Sequence, residues 1–441
     1  KMKEYDVKQC SAVATSAVRE AANANILLER IHHATGIDLQ LFDGADQARL
    51  GYYTIRSVFP SKRAFARQNI LLADIGTGVC QISAYRKGFL AFTESVKSGS
   101  LRVLDMLPGT LSSFALRDCL TPIVRQSFLE IEHGGMSLAS DAIVAMGASA
   151  RILLRFFPNA KKSTENLLDI SASEFFAMRA SVATRSIEQM ADEFDIAKDM
   201  AEAAIPCAII LERLLRISGA KRILIPRISM KYGLLHIFLN ELTGKADDFD
   251  EQILSVARMT AEKYKCSLEY SSRTVAFAEK LFLKLKRLHG LGSRDLLILK
   301  VAAWLHKTGL YLNNQASHKH SYYIILSTEI PGLSYEERRI AALTARYHRK
   351  SWPKRQHLEY TALSAGEQSR VLKLSALLRL ASYLAETQAL PQKLSVSMPD
   401  EDTVELDPGL SESALDFELT GKDGLAYLSH VLAVHAEISQ E

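Results

Sequence analysis

The chain has 441 residues, 48% hydrophobic and 24% charged, too many for one core and ordinary for a globular protein of two to four domains. Lys plus Arg exceed Asp plus Glu by 54 − 50 = 4, too small a surplus to make duplex nucleic acid the main partner, although it permits local basic patches for a polyanion. The five cysteines, Cys10, Cys80, Cys119, Cys207 and Cys266, have no Cys-x-x-Cys spacing, which argues against a zinc site or disulfide framework and for a reducing cytosol.

No run of about 18 apolar residues offers a membrane span, and the polar start Lys1-Met2-Lys3-Glu4 is no signal peptide. Lys1 ahead of Met2 implies an added residue or the remainder of a longer chain. From Cys10, residues 11–17 read as a strand entering a small-residue turn, followed by a helix from Val18 to about Ala34 that Gly36 stops. Ile37 to Phe42 alternates as a strand, Asp43-Gly44 turns, and Ala45 to Tyr53 begins another helix. Strand, helix, strand, helix implies a layered α/β domain.

In Asn69 to Glu94 the apolar run Ile70-Leu71-Leu72-Ala73 ends in Asp74-Ile75-Gly76-Thr77-Gly78 and returns as Val79 to Tyr85. A second turn, Arg86-Lys87-Gly88, leads into Phe89 to Phe92. Glycines let backbone N–H groups converge on an anion, and an Asp at a strand end can orient a metal, a water or a phosphate oxygen. The same letters also suit an ordinary hairpin. Leu101 to Leu120 and Pro122 to Glu132 read as helices. Ala142 to Met146 reads as a buried strand emptying into Gly147-Ala148-Ser149-Ala150-Arg151, a junction that suits either an anion or close packing. Helices at Ile187–Ile196 and Ala203–Ser218, a strand at Arg222–Pro226 and a helix at Met230–Leu242 complete this half.

From Phe249 to about Ala389 nearly every segment has helical period, with glycine stops at Gly290, Gly309, Gly332 and Gly366. Short strands are expected at 394–398, 403–406 and 415–419, with a last helix from Gly424. There is no internal repeat and no low-complexity tract.

These segments resemble the exopolyphosphatase and guanosine pentaphosphate phosphohydrolase family. The residues that carry the likeness are Ala14-Thr15-Ser16-Ala17-Val18-Arg19-Glu20-Ala21, Gly44-Ala45-Asp46-Gln47-Ala48-Arg49-Leu50, Asp74 to Gly78, Gly147 to Arg151 and Lys231-Tyr232-Gly233-Leu234-Leu235. In the helical half they are Ala303 to Gly309, His318-Lys319-His320-Ser321-Tyr322-Tyr323 and Ala345 to Lys350. The resemblance implies an α/β actin-like, ribonuclease H-like two-lobe module followed by an all-α HD-like domain with a small α+β tail. The implied parts are 1–68 as the remainder of lobe I, 69–244 as lobe II, 245–390 as the HD-like domain and 391–441 as the tail. It further implies a cytoplasmic homodimer that acts with Mg2+ on inorganic polyphosphate or on guanosine tetra- or pentaphosphate.

The departures bear on activity. The Asp-x-Gly-Ser-Asn-Ser loop and hairpin that open family members have no counterpart before Ala14, so about eighty residues of a typical relative are expected elsewhere. The resemblance places the general-base glutamate at Gln47, beside Asp46, and a second, metal-holding glutamate at Gln81. A glutamine orients a water but accepts no proton. Both glutamines also suit plain surface positions. By the same resemblance Asp74 is catalytic and holds the metal, and Arg19, Gly76, Thr77, Gly78, Gln81, Gly147 and Ser149 bind phosphate. In the helical half the resemblance places the four HD ligand positions on Ser271, His306, Lys307 and Ser382, which leaves one ligand and argues against metal catalysis there. Lys307 suits the last turn of a helix spanning 295–307. The other histidines of the remnant, His318, His320 and His348, suit one metal or, more simply, buried or anion-facing roles. Ser334 to Glu337 forms a capping box for the helix leading to His348. Arg346, Arg349, Lys350, Lys354 and Arg355, with Tyr347 and Trp352 between them, suit a phosphate chain or merely a solvated basic face. Three functions stand open: a phosphohydrolase, a non-catalytic polyphosphate or guanosine tetraphosphate sensor working by closure of an interdomain cleft, and a scaffold built from the helical half.

Overall fold

The computed structural model describes residues 2, 4–107, 113–158, 160–243, 249–387, 389–400, 402–409 and 414–438. The chain divides into two compact units, Lys1–Phe249 and Asp250–Glu441. The expected four-part division stays an expectation at 68/69 and 390/391, and residue 244 lies outside the described residues.

The first unit opens with β1 (Ala12–Ala14), α1 (Ser16–Arg19), α2 (Ala24–Thr35) and β2 (Leu39–Leu41), β1 and β2 pairing in parallel. The single helix expected over 18–34 is thus two, because the chain turns at Glu20–Asn23 and restarts with Asn23 at the cap position. Next come α3 (Gly44–Val58), α4 (Lys62–Ala66), β3 (Ile70–Ile75), β4 (Cys80–Arg86) and β5 (Phe89–Val96). They lead to α5 (Ser100–Asp105), α6 (Ser113–Ser127), α7 (Leu129–His133), β6 (Ala142–Met146) and α8 (Ala148–Ile152). The unit ends with β7 (Lys161–Thr164), β8 (Leu167–Ser171), α9 (Ala172–Ala183), α10 (Ile187–Phe194), α11 (Lys198–Ser218), β9 (Arg222–Pro226) and α12 (Lys231–Thr243).

Seven of these strands form one mixed sheet in the order β5-β4-β3-β6-β9-β8-β7. β3, β6 and β9 run parallel at its centre and the flanking pairs are antiparallel, which excludes an all-parallel Rossmann sheet. β3 and β6 are apolar along nearly their whole length and buried on both faces, as central strands must be. In register, Asp74 lies opposite Gln81 of β4 and Met146 of β6, so the ends of β3 and β6 deliver the 74–79 turn and Gly147 to one edge of the sheet. Pro122 lies inside α6 and does not open a helix as expected; tertiary packing of that helix outweighs the backbone bond its ring removes. The β7–β8 hairpin, α4 and α9 were not expected from the sequence.

The second unit runs α13 (Asp250–Lys263), α14 (Leu268–Lys284), α15 (Lys286–His289), α16 (Ser293–Leu305), α17 (Ser317–Ser327), α18 (Tyr335–Arg346), α19 (Leu358–Thr361) and α20 (Ala365–Glu386). It closes with β10 (Ser395–Ser397), β11 (Thr403–Asp407), α21 (Ala414–Leu432) and β12 (His435–Ile438). α14, α16, α18 and α20 pack on one another as its core. The strand expected at 415–419 is the first part of α21: Leu415 and Leu419 are one helical turn apart, and α21 runs against α20. The third tail strand is instead β12, parallel to β11. Gly366 is no stop but lies in the first turn of α20 behind the Ser364–Glu367 capping box, and Gly309 lies in a 3-10 turn. Among the described residues no helix is long and apolar enough to cross a membrane.

Candidate active site

The turn after β3 is held by hydrogen bonds from α5 and by one across itself. Its carbonyls face α5: Gly76 O accepts from Ser100 N at 2.9 Å, and Thr77 O accepts from Leu101 N and Arg102 N, each at 3.0 Å. Gly76 N donates across the turn to Val79 O at 3.0 Å. The N–H groups of Thr77 and Gly78 have no partner among the described residues, which is how a glycine turn presents donors to an anion. Gly99 lets α5 approach, since a Cβ there would collide with the Thr77 carbonyl. Gly147, at φ +104°, lies against the Ile75 carbonyl with no space for a Cβ.

Beside this turn is a cavity of about 300 Å³ in which Gln47, Asp74, Gly76 and Thr77 meet Thr15 and Lys231. Asp74 is its one acidic residue among the described residues. The Asp74 carboxyl has no hydrogen-bond partner among the described residues; desolvation lifts its pKa to about 6, against the opposing charge of Arg151. The Gln47 amide likewise makes no hydrogen bond to a described residue. A larger cavity, about 670 Å³, lies along β5 and α7 with Glu94, Lys97 and Glu130 in its wall. It contains none of the expected site residues, and chemistry favours the smaller one.

Several expected residues are held elsewhere. Asp46 is the third residue of α3 and reciprocates the cap of Asp43: Asp46 N donates to Asp43 Oδ1 at 2.9 Å and Asp43 N to Asp46 Oδ2 at 3.1 Å. It does not line the cavity, and burial raises its pKa. Arg19 donates to the Phe42 carbonyl and does not line the cavity either. Gln81 is buried, its Nε2 donating to Thr93 Oγ1 at 2.5 Å while Ser95 donates to its Oε1. Ser149 is buried and donates to Ser100 Oγ at 2.9 Å, with Ser100 in turn on the Gly76 carbonyl. Gly147 and Ser149 therefore shape the turn from behind. Lys231 and Thr15 were not singled out as site residues, although both stand inside segments that carry the resemblance.

In the second unit the four positions expected to correspond to HD ligands, Ser271, His306, Lys307 and Ser382, lie near one tyrosine. Tyr270, next to the buried Ser271, places its hydroxyl 2.8 Å from Ser382 Oγ and 3.4 Å from His306 Nε2. Lys307 lies over the Tyr270 ring at 5.3 Å and pairs with Glu386 at 3.0 Å; α16 ends at Leu305, so Lys307 lies beyond its last turn. His306 and His348 are buried with ring centroids 4.8 Å apart, and each Nδ1 is bonded to the carbonyl three residues back. Burial, then Lys307, brings the His306 pKa down to about 3, and His348 is also held well below its ordinary value. His318 is lowered to about 4 by burial and by Lys350, Arg349, Lys319 and Arg346; His320 is half-buried. Among the described residues no three His, Cys, Asp or Glu side chains gather as a metal site. The basic cluster is also reduced. Arg346 pairs with Glu359 at 2.8 Å, Tyr347 is buried, and Trp352 lies against Tyr427 and His430.

The sequence profile of the Ppx/GppA phosphatase family matches residues 1–239, and that of Ppx/GppA phosphatase domain III matches residues 254–412. The chain belongs to the Ppx/GppA phosphatase family. Exopolyphosphatase 1 of Mycobacterium bovis is 26% identical over 250 residues, 54% of this chain and 68% of that one. Exopolyphosphatase 1 of Mycobacterium leprae is 25% identical over 249 residues, 54% of this chain and 69% of that one. Among solved structures, an exopolyphosphatase from Cytophaga hutchinsonii has 18% identity and a TM-score of 0.48 over 54% of this chain and 78% of that one. The Aquifex aeolicus Ppx/GppA family member has 15% identity and a TM-score of 0.46 over 56% of this chain and 78% of that one.

Proposed function

We propose that the first unit is an actin-like phosphohydrolase module that cleaves the terminal phosphoanhydride of inorganic polyphosphate, with turnover weakened by the loss of carboxylates. The observation that supports this most is the shared cavity of Gln47, Asp74, Gly76 and Thr77. The Thr77 N–H group and Lys231, which line the cavity, hold the terminal phosphate, and the Gly78 N–H, although Gly78 is not in the lining, stands next in the same turn. Gln47 Oε1 orients a water toward phosphorus; an O–P bond forms, the bridging P–O bond breaks, and the shortened chain leaves as the phosphate anion. The water's proton goes to Asp74, the one acid lining the cavity among the described residues. Asp74 is also the residue that would hold Mg2+, because an unpartnered carboxyl lifted to about 6 is the group a cation would stabilise. When bound, the cation neutralises charge on the phosphates. A single carboxylate left with both tasks is the physical reason to expect slow turnover.

A second reading, retention of polyphosphate or guanosine tetraphosphate without cleavage, is favoured by Gln81, whose amide is consumed by Thr93 and Ser95 and cannot complete a metal site. The guanosine pentaphosphate 5′ end offers the same bond type and competes as substrate. The second unit is read as an HD-type relict in which Tyr270 replaces the metal, and the chain as a homodimer, which light scattering tests. One experiment separates the two functions. The chain is incubated with Mg2+ and end-labelled polyphosphate, and released phosphate is measured apart from retained polymer. Release supports hydrolysis, and retention without release supports the sensor.

A further inference from the structure

The helix that ends the first unit, α12, is apolar on two sides. One side packs on α3: Ile237 is buried, and a Cβ at Gly233 would strike the Leu50 carbonyl. The other side is uncovered. Tyr232, Leu235, Leu239 and Leu242 are 50, 50, 48 and 52% exposed, and their spacing of three, four and three residues sets them in one stripe along the helix. Single apolar side chains in water need no explanation, but a contiguous row of large ones marks a surface with a partner. We propose, resting on the homodimer reading above, that this stripe is the interface between two copies of the chain, their α12 helices lying antiparallel about a two-fold axis.

The spacing selects a second copy. Apolar residues at alternating steps of three and four form the seam by which helices pair, and three-four-three reads the same in both directions. A two-fold axis at the level of Ile237 therefore sets position 232 against position 242 and position 235 against position 239, so the stripe meets itself without a gap and the contact closes at two copies. Charge selects the direction. The two formally charged residues of α12, Lys231 and Glu241, stand at opposite ends of the helix, so antiparallel order brings unlike ends and opposed helix dipoles together, where parallel order would align like ends. Area sets the strength. Half-exposed side chains of this size offer about 100 Å² apiece, or about 800 Å² over both copies, which lies in the range of weak, reversible complexes and below that of obligate ones.

The test is sedimentation equilibrium of the full chain at micromolar concentrations. The expected result is a reversible equilibrium of monomer and dimer. Leu235→Glu and Leu239→Lys each put a charge into the seam and weaken self-association at least about tenfold. Both positions are half-exposed on the side of α12 away from α3, so circular dichroism and the urea midpoint stay those of the wild-type chain. Mixed one to one, the two variants associate again, because position 235 of one copy meets position 239 of the other and the opposite charges pair; a parallel seam sets 235 against 235 and gives no rescue. Where either variant loses its fold, Tyr232→Lys and Leu242→Glu make the same pair at the ends of the seam. A wild-type chain that is monomeric throughout overturns the interface and the homodimer reading together. A wild-type dimer that the single variants leave intact overturns the interface alone, and a mixture that stays monomeric overturns the antiparallel pairing.

Discussion

Asp74 and Gln81 face each other across the β3–β4 ladder, one with an unpartnered carboxyl in the cavity and the other with both amide atoms bound to hydroxyls of β5. Direct partners in an antiparallel pair project to the same face, so the contrast arises from Thr93 and Ser95 and not from strand orientation. Gln81→Glu would remove the donor that Thr93 accepts and bury a carboxylate opposite Asp74. The expected outcome is a loss of about 1 to 3 kcal/mol in stability with no gain in phosphate release, read by denaturation and by the release assay on the same variant.

Gln47 is different, because its amide is free in the cavity. Gln47→Glu supplies a proton acceptor where a water would be held, and general-base assistance is worth on the order of 10²- to 10⁴-fold. Phosphate release should rise by a factor in that range, and polymer retention should weaken as charge is added beside the anion. Asp74→Asn should abolish release in the wild-type background. Asp46→Asn, which disturbs a helix cap outside the cavity lining, should cost stability and leave release unchanged. An Asp46→Asn variant that folds but releases nothing would transfer the base role to Asp46.

The pKa of Asp74 also has a consequence for stability. A carboxyl raised from 3.8 to about 6 binds its proton more tightly in the folded chain than in the unfolded one. Its contribution therefore opposes folding above about pH 6 and vanishes below about pH 4. Asp74→Asn should stabilise the first unit by between about 1 and 3 kcal/mol at pH 8 and by almost nothing at pH 4. Urea midpoints at the two pH values check this.

The histidines act in the opposite sense. His306, lowered from 6.5 to about 3, stays neutral in the folded chain while the unfolded chain protonates it. Stability should be intact above about pH 6.5 and fall on acidification, by about 2 kcal/mol between pH 7 and pH 5 for this residue alone. His306→Gln should flatten that part of the profile, measured on the transition of the second unit.

Gly147 and Gly36 make a paired test of backbone demand. Both have positive φ, +104° and +71°, but only Gly147 lies against a carbonyl that a Cβ would strike; nothing lies within 4 Å of the Cβ position at Gly36. Gly36→Ala should cost about 1 kcal/mol and Gly147→Ala well over 2 kcal/mol. Equal losses would show that the close approach at Ile75 is not rigid.

The β3–β4–β5 meander, the strand–glycine–helix junction at 142–152 and the helical character of 250–386 were all legible in the sequence. Each rests on an apolar period interrupted by glycine. The tail was ambiguous because Leu415, Phe417 and Leu419 satisfy strand alternation while Leu415 and Leu419 also satisfy helical spacing, and the backbone there is the start of α21, an element that as a whole packs on α20. Of the residues expected at the site, Gln47, Asp74, Gly76 and Thr77 line one cavity, and the sequence could mark them because the turn and the α3 segment are local. Arg19 and Ser149 do not line that cavity, because their partners, the Phe42 carbonyl and Ser100, are chosen by tertiary structure. Lys231 went unassigned since a lysine at a helix start carries no local mark of what it faces.

The turn that follows β3 gives its carbonyls to the first three amides of α5, and those amides consequently become reporters. Ser100, Leu101 and Arg102 should exchange their hydrogens with solvent only when residues 76–79 open, more than twenty positions earlier in the chain. An anion that orders the Thr77 and Gly78 amides from the front should then slow exchange on the far side of the turn, where it touches nothing. Occupancy of the cavity becomes visible at a helix outside it, without a label, a substrate analogue or turnover.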